Sequence, residues 1–287
     1  LMSNVIIIGN GPAGVSASLY TARAGVETTI IGSGLGALGK AEKIENYYGF
    51  AEPVDAKELV AAGIAQAKRA GVNYIEDEVV GIGFGQKLMV STKTNSYEAD
   101  YVVLSTGASR STPPIPGLRE LEGHGVSYCA VCDAFFYRGK DVAVLGSGEY
   151  AMHEAGELLP VVGSVTILTN GAELTGVLPE GAKLDTRKIA AFEGDGVVEK
   201  VTFEDSESLA ISGVFVAVGV AGSTDLAKKL GAATEGNRIL VDEKMATNVP
   251  GLYAAGDCTG GMLQIAKAVY QGAQAGTSIV AEIRKKK

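Results

Sequence analysis

Two cysteines three positions apart, with a carboxylate directly after them, form the stretch Cys129-Ala130-Val131-Cys132-Asp133. Cysteines at this spacing close a small disulfide. A thiol in such a pair often ionises more readily than a free one, and the thiolate is the nucleophile in disulfide exchange. Asp133 stands where a general acid would protonate the departing sulfur. Two other uses of the pattern fit less well. A structural zinc needs four Cys or His ligands, and the remaining Cys258, His124 and His153 have no paired spacing, so no metal site is expected. A purely structural disulfide over so short a loop gains little chain entropy. The stretch therefore points to redox work, which requires a source of electrons elsewhere in the chain.

The start of the chain offers a place for that source. Val5-Ile6-Ile7-Ile8 is a continuous apolar run, the pattern of a buried parallel strand. Gly9-Asn10-Gly11-Pro12-Ala13-Gly14 follows, and Val15 to Ala24 reads as a helix of small and apolar residues. Strand, glycine turn and helix in this order are the context a dinucleotide-binding turn requires. The first glycine makes the turn, the second lets a pyrophosphate approach the backbone, the third lets helix and strand pack, and the helix N-terminus faces the phosphates. Thr28 to Ile31 is the next strand. Gly32, Ser33 and Gly34 stand at its end in place of an acid, so backbone groups are expected to meet the ribose. Asp55 to Ala70 reads as a helix with Asp55 as N-cap and Gly71 as its stop. The chain from Asn73 to Leu104 reads mainly as strands, and Tyr101 to Leu104 returns into Ser105-Thr106-Gly107-Ala108. Near the other end, Leu252 to Ala255 runs into Gly256-Asp257, an acid placed to bind a ribityl or ribose hydroxyl. Gly260 to Ile283 reads as a helix whose N-terminus favours negative charge.

A second strand–turn–helix lies in the middle. Pro113-Pro114-Ile115-Pro116-Gly117 reads as an extended linker. Asp141 to Leu145 is an apolar strand, followed by Gly146-Ser147-Gly148-Glu149-Tyr150-Ala151 and a helix to Leu159. Ser164 to Leu168 is the next strand. A cofactor with a 2′-phosphate wants arginines just beyond it, yet Thr169-Asn170-Gly171-Ala172-Glu173-Leu174 carries no cation. Glu149 and Tyr150 also put an anion and a bulky ring in the turn. The first turn reads as occupied and the second as inherited but emptied.

Composition narrows the classes. With 25 Lys and Arg against 33 Asp and Glu, the formal charge is −8, which argues against nucleic acid as a partner. Glycine, at 39 of 287 residues, is about twice its usual share. No apolar run approaches the length that spans a bilayer. The opening apolar run is too short for a signal peptide, and three cysteines suit a reducing cytoplasm. The tail Arg284-Lys285-Lys286-Lys287 reads as a solvated helix end.

The whole chain resembles the low-molecular-weight thioredoxin reductase family. The resemblance is carried by the Gly9–Gly14 turn, Glu45-Asn46 ahead of Gly49-Phe50, Ser105 to Ala108, Cys129 to Asp133 followed by Phe135-Phe136-Tyr137-Arg138, Gly213 to Gly219, and Pro250 to Asp257. It implies an α/β protein of two Rossmann-like three-layer ββα domains, the second inserted into the first. Residues 1–112 with 246–287 would bind FAD, and residues 113–245 would carry the CxxC on a degenerate nicotinamide-nucleotide fold. Gly9, Gly11, Pro12, Ala13, Gly14, Gly32, Ser33, Asn46, Thr106, Gly107, Ala108, Gly256, Asp257 and Gln264 would hold the cofactor. The resemblance further implies a homodimer, a rotation between domains, and electron transfer through the Cys129–Cys132 disulfide to thioredoxin. Cys132 would face the flavin, Cys129 would attack thioredoxin, and Asp133 would shuttle the proton. NADPH-dependent members carry His-Arg-Arg and a further arginine where this chain has Thr169, Asn170, Gly171 and Thr175. Charge-assisted phosphate contacts are worth about 1.5–3 kcal/mol each, so their loss weakens NADPH binding by orders of magnitude. The pattern is most similar to the ferredoxin-dependent flavin thioredoxin reductases of clostridia, which makes reduced ferredoxin the expected donor. The competing readings are a nicotinamide-dependent reductase, a dithiol oxidase on the same scaffold, and a non-catalytic flavin-bearing redox sensor.

Overall fold

A computed structural model of the chain describes residues 3–41, 43–108 and 112–286. Lys287, at the end of the basic tail, lies outside them. The described helices are α1 (Pro12–Arg23), α2 (Ala56–Arg69), α3 (Ala130–Asp133), α4 (Glu149–Leu158), α5 (Ser223–Lys229) and α6 (Ile265–Lys285). The chain forms two compact units, Leu1–Ser109 with Gly222–Lys287, and Arg110–Ala221.

In the first unit a five-stranded parallel sheet runs in the order Leu252–Ala254, Tyr101–Leu104, Asn4–Ile8, Glu27–Ile31, Asn73–Ile75. Val5 pairs with both Thr28 and Tyr101, which buries Val5 to Ile8 on both faces and explains their unbroken apolar character. Ile7, Ile30, Val103, Ala17, Ala275 and Ile279 share one core. An antiparallel trio, Val79–Phe84, Leu88–Thr92 and Ser96–Ala99, adds the further β layer. Asp55 caps α2 as expected, its carboxylate accepting from the N–H groups of Lys57 and Glu58 at 2.7 and 3.2 Å.

The second unit repeats this plan. Its parallel sheet runs Val126–Ser127, Val214–Val216, Asp141–Leu145, Ser164–Leu168, Lys183–Asp185. Its antiparallel trio is Ile189–Glu193, Lys200–Phe203 and Ser208–Ala210. Ala143, Leu145, Phe192, Val201, Phe203 and Val214 form its core.

Two expectations from the sequence differ from the structure. Residues 222–245, expected in the inserted segment, pack with the first unit, where α5 meets the Tyr101–Leu104 strand. The Pro113–Gly117 segment is held by the Phe192 N–H, which donates to the Pro116 carbonyl at 2.9 Å. The final helix begins at Ile265 rather than Gly260: Gly260 and Gly261 hold φ of 74° and 76°, which breaks the helical path before Gln264.

α1 and α6 cross at glycines. A Cβ on Gly272 would overlap the Ala13 carbonyl, and one on Gly276 would press on Ala17. Gly272→Ala should therefore lower stability by about 1–3 kcal/mol in thermal or denaturant melts. Gly156, exposed within α4 with nothing within 4 Å of its Cβ position, provides the opposite case. Gly156→Ala should raise stability by about 0.4–1 kcal/mol.

Candidate functional site

The first glycine turn has the geometry its sequence predicts. Gly9 takes φ 115°, and a Cβ there would strike Ser105. A Cβ on Gly14 would overlap the Gly9 carbonyl, so only glycine lets α1 close on the strand. Gly11, the N-cap of α1, faces open space: nothing lies within 4 Å of its Cβ position. Pro12 occupies the first helical turn, no side chain caps it, and no acid stands there. The amides at this end are thus available to an anion.

The other predicted cofactor residues lie in the first unit, and Gly32 and Gly256 come close to this turn, at Asn10 and Ala13. Gly256, at φ 91°, comes within 2.9 Å of the Ala13 Cβ when given a Cβ of its own. Its N–H donates to Gln271 Oε1 at 2.9 Å, and its carbonyl accepts from Lys267 Nζ at 2.8 Å and Thr259 Oγ1 at 2.9 Å. Those contacts fix the Gly256-Asp257 corner. The Thr106 N–H donates to Ser223 Oγ at 2.9 Å, and Gly107 follows at φ 86° with Ala108 after it. Asn46 Nδ2 donates to Gln264 Oε1 at 2.9 Å, joining two loops 218 residues apart. At the end of the second strand, Asn10 Nδ2 donates to the Gly34 carbonyl at 3.0 Å and Tyr74 Oη donates to the Gly32 carbonyl at 3.2 Å. Ser33 sits between those glycines. Burial pushes the Tyr74 phenol above its ordinary pKa. Open amides, fixed carbonyls and the bridged Asn46–Gln264 loops form a cradle that fits a dinucleotide flavin.

Asn10, Tyr74, Ser223, Lys267 and Gln271 were not singled out from sequence. Asn10 sits inside the glycine motif and was open to detection. The others are brought in by tertiary packing and leave no local signal.

In the second unit Cys129 and Cys132 are joined as a disulfide. Cys129 is buried and Cys132 exposed. Cys129 is the N-cap of α3, its Sγ accepting from the Cys132 N–H at 3.3 Å. Ser127, buried two residues earlier, donates its hydroxyl to Asp133 Oδ2 at 2.6 Å and accepts the Cys129 N–H at 3.2 Å. The carboxylate is thereby tied to the backbone of the first cysteine. Burial, then the charge of Asp133, raise the Tyr137 phenol above its ordinary value. Phe135 and Phe136 stand 70% and 69% exposed directly after the acid.

The second glycine turn differs from the first at the decisive glycine. Around the Cβ position of Gly148, the Gly219 carbonyl lies at 3.6 Å and Thr175 Oγ1 at 3.8 Å. The N–H groups of Thr175 and Gly176 both donate to the Ser147 carbonyl, at 2.8 and 3.3 Å, drawing that segment onto the turn. Glu149 opens α4. Tyr150 is buried in the unit, so its ring belongs to the core rather than to the face of the turn. Thr169 is buried, and Asn170 Oδ1 accepts the Ile189 N–H at 2.8 Å, so the Asn170 side chain serves the fold. Nearby Arg187 bonds Asp185 at 2.6 Å and stacks on Phe203 at 3.8 Å. That bond holds the Asp185 carboxyl below its usual range.

Cys258 is fully buried, and burial pushes its thiol up to about 11, which makes it a core residue rather than a reactive one. Among the described residues no group of three or more His, Cys, Asp or Glu gathers to hold a metal, and no helix is long and apolar enough to cross a membrane.

Residues 3–272 match the model of the pyridine nucleotide-disulphide oxidoreductase family. A thioredoxin reductase of Aquifex aeolicus (strain VF5) is 34% identical over 273 residues, covering 88% of this chain and 84% of that protein. One from Listeria innocua is 34% identical over 294 residues, covering 95% and 91%. The crystal structure of the atypical thioredoxin reductase of Desulfovibrio vulgaris Hildenborough superposes with a TM-score of 0.93 at 40% identity, over 99% of both chains. A ferredoxin-flavin thioredoxin reductase of Clostridium acetobutylicum gives 0.72 at 31% identity over 98% of each. The likeness to the clostridial protein is thus looser than that to the Desulfovibrio one. With its cradle, its disulfide and these relatives, the chain belongs to the pyridine nucleotide-disulphide oxidoreductase family as a flavin disulfide oxidoreductase of the thioredoxin reductase type, with FAD as its cofactor.

Proposed function

We propose that this chain is a ferredoxin-dependent thioredoxin reductase, passing electrons from a one-electron carrier through FAD and the Cys129–Cys132 pair to oxidised thioredoxin. The observation that carries the choice of donor is the lack of any cation from Thr169 to Gly176, together with Glu149 at the start of α4. A second dinucleotide needs the amides of its turn and cations for a 2′-phosphate. This unit offers neither, with an acid at the helix start and Thr, Asn and Gly where the cations would stand. The ferredoxin-flavin name of the clostridial neighbour supports the same reading. The family pattern extends the proposal to a cytoplasmic homodimer, whose mass sedimentation would test.

FAD, when bound, supplies the electron pair that opens the disulfide. Opening breaks one S–S bond, takes up two electrons and leaves two sulfurs, one of which receives a proton. Asp133, adjacent to Cys132, is placed to give that proton and to recover it from solvent. Ser127 donates to one oxygen of that carboxyl group at 2.6 Å and orients it beside the pair. The freed thiolate then attacks the disulfide of thioredoxin, forming a mixed disulfide that the second sulfur resolves. Phe135 and Phe136, exposed beside the pair, offer the apolar face a protein substrate needs.

Two outcomes are expected. In an anaerobic titration of the FAD-loaded protein, reduced ferredoxin should remove the visible flavin absorbance and oxidised thioredoxin should restore it. NADPH and NADH at micromolar levels should leave it unchanged, and rapid loss of colour with either would refute the choice of donor. In steady-state reduction of thioredoxin, Asp133→Asn should lower kcat by about 10²–10⁴-fold. Ser127→Ala should lower it by about tenfold, the equivalent of one lost hydrogen bond to a charged group. A Ser127→Ala rate equal to wild type would show that Asp133 needs no such support.

A further inference from the structure

We infer that Lys267 and Gln271, one turn apart on α6, are positioning residues for FAD: they hold the two peptides on either side of the Gly256 Cα and so aim Asp257 at the cofactor. This rests on the reading of the Gly256-Asp257 corner as part of the FAD cradle. The Gly256 N–H belongs to the peptide before that Cα, and its carbonyl to the peptide after it. Gln271 Oε1 accepts the N–H at 2.9 Å, and Lys267 Nζ donates to the carbonyl at 2.8 Å. The Thr259 hydroxyl lies 2.9 Å from both acceptors, the Gly256 carbonyl and Gln271 Oε1, and closes the network. Residues four apart share one face of a helix, so α6 presents both groups to the corner together.

The corner needs this support because its joint is a glycine. Gly256 takes φ 91° and ψ −154°, a conformation essentially confined to glycine. A Cβ there would also press on Ala13, 2.9 Å away. Glycine meets both requirements, yet it is the residue with the most backbone freedom. Asp257 follows directly, so freedom at Gly256 becomes freedom in the direction of its carboxylate. Bonds to both peptides remove that freedom before the cofactor arrives, and preorganisation of this kind strengthens binding. Both anchors are half-buried on a helix that packs on α1 through Gly272 and Gly276, which gives the clamp a rigid base. Burial lowers the Lys267 pKa, and the Asp257 charge beside it works against that shift.

The test is the release of FAD from the loaded, full-length protein on serial dilution, read by the fluorescence of free flavin. Methionine at either anchor keeps the helix and much of the volume without the bond to Gly256. Lys267→Met and Gln271→Met should each raise the Kd for FAD by about tenfold, the effect of one lost hydrogen bond. Asp257→Ala should itself weaken FAD. On that background Lys267→Met should cost no more than about twofold further, because the group it aims is already gone. Lys285→Met, at the exposed far end of α6, should stay within about twofold of wild type. Wild-type affinity in both single anchor variants overturns the inference. A merely structural role would repeat the full tenfold loss on the Asp257→Ala background, and that result overturns it too, as does an equal loss in Lys285→Met. Unchanged affinity in Asp257→Ala would instead overturn the place of the corner in the cradle, and this inference with it.

Discussion

The first unit depends on how closely backbones approach at α1. The helix is pressed between the strand it follows and α6, and both approaches are made at glycines: Gly14 against the Gly9 carbonyl, Gly272 and Gly276 against Ala13 and Ala17. Close packing of this kind has no slack, because protein interiors are already near crystal density. Its consequence is positional. With α1 fixed on one side by the strand and on the other by α6, the amides at Gly11 sit at a defined height above the sheet edge. The Gly256-Asp257 corner meets Ala13 at the same level. The cofactor cradle is the exposed end of a packed helix pair rather than a separate construction.

The second unit shows the same architecture with a different outcome. Its sheet order, its glycine turn and the helix after that turn repeat those of the first unit. Gly146 is as sterically required as Gly9, since a Cβ there would strike the Ala217 carbonyl. What differs is small: two amides from Thr175 and Gly176 fold onto the Ser147 carbonyl, and the positions beyond the Ser164–Leu168 strand serve the local fold. Fold and ligand binding rest on different features, the first on strand pairing and glycine geometry, the second on a few side chains and an open approach.

Sequence reasoning reached the cradle through local rules. The apolar run Val5 to Ile8, the turn Gly9 to Gly14 and the cap at Asp55 each announce themselves within a few residues, since strand burial, tight turns and caps are short-range constraints. The pairing of Asn46 with Gln264 was reachable only as two separate family residues, and their contact spans 218 positions. Ser223 on Thr106 and Glu154 on Ala130 left no trace, because a serine at a helix start and a glutamate within a helix are ordinary residues until another segment arrives. The misplaced start of α6 had a visible cause, the pair Gly260-Gly261, whose positive φ values a periodic pattern does not register. The return to the first unit at 222 was hidden because α5 carries no sequence mark of which sheet it packs upon.

α4 ties the second glycine turn to the disulfide. Its first residue, Glu149, follows the turn, and its sixth, Glu154, accepts the Ala130 N–H of the disulfide helix. At about 1.5 Å of rise per residue, those two positions lie roughly 7–8 Å apart along the axis. A change at the turn leaves the far contact in place, whereas loss of the helix would remove the seat of Cys129. The strand–turn–helix unit is therefore constrained from the disulfide side as well as from the turn. The glycines that pack the helix, Gly146 foremost, remain necessary for the same reason. Beyond the Ser164–Leu168 strand, the side chains of Asn170 and Thr175 make bonds internal to the unit.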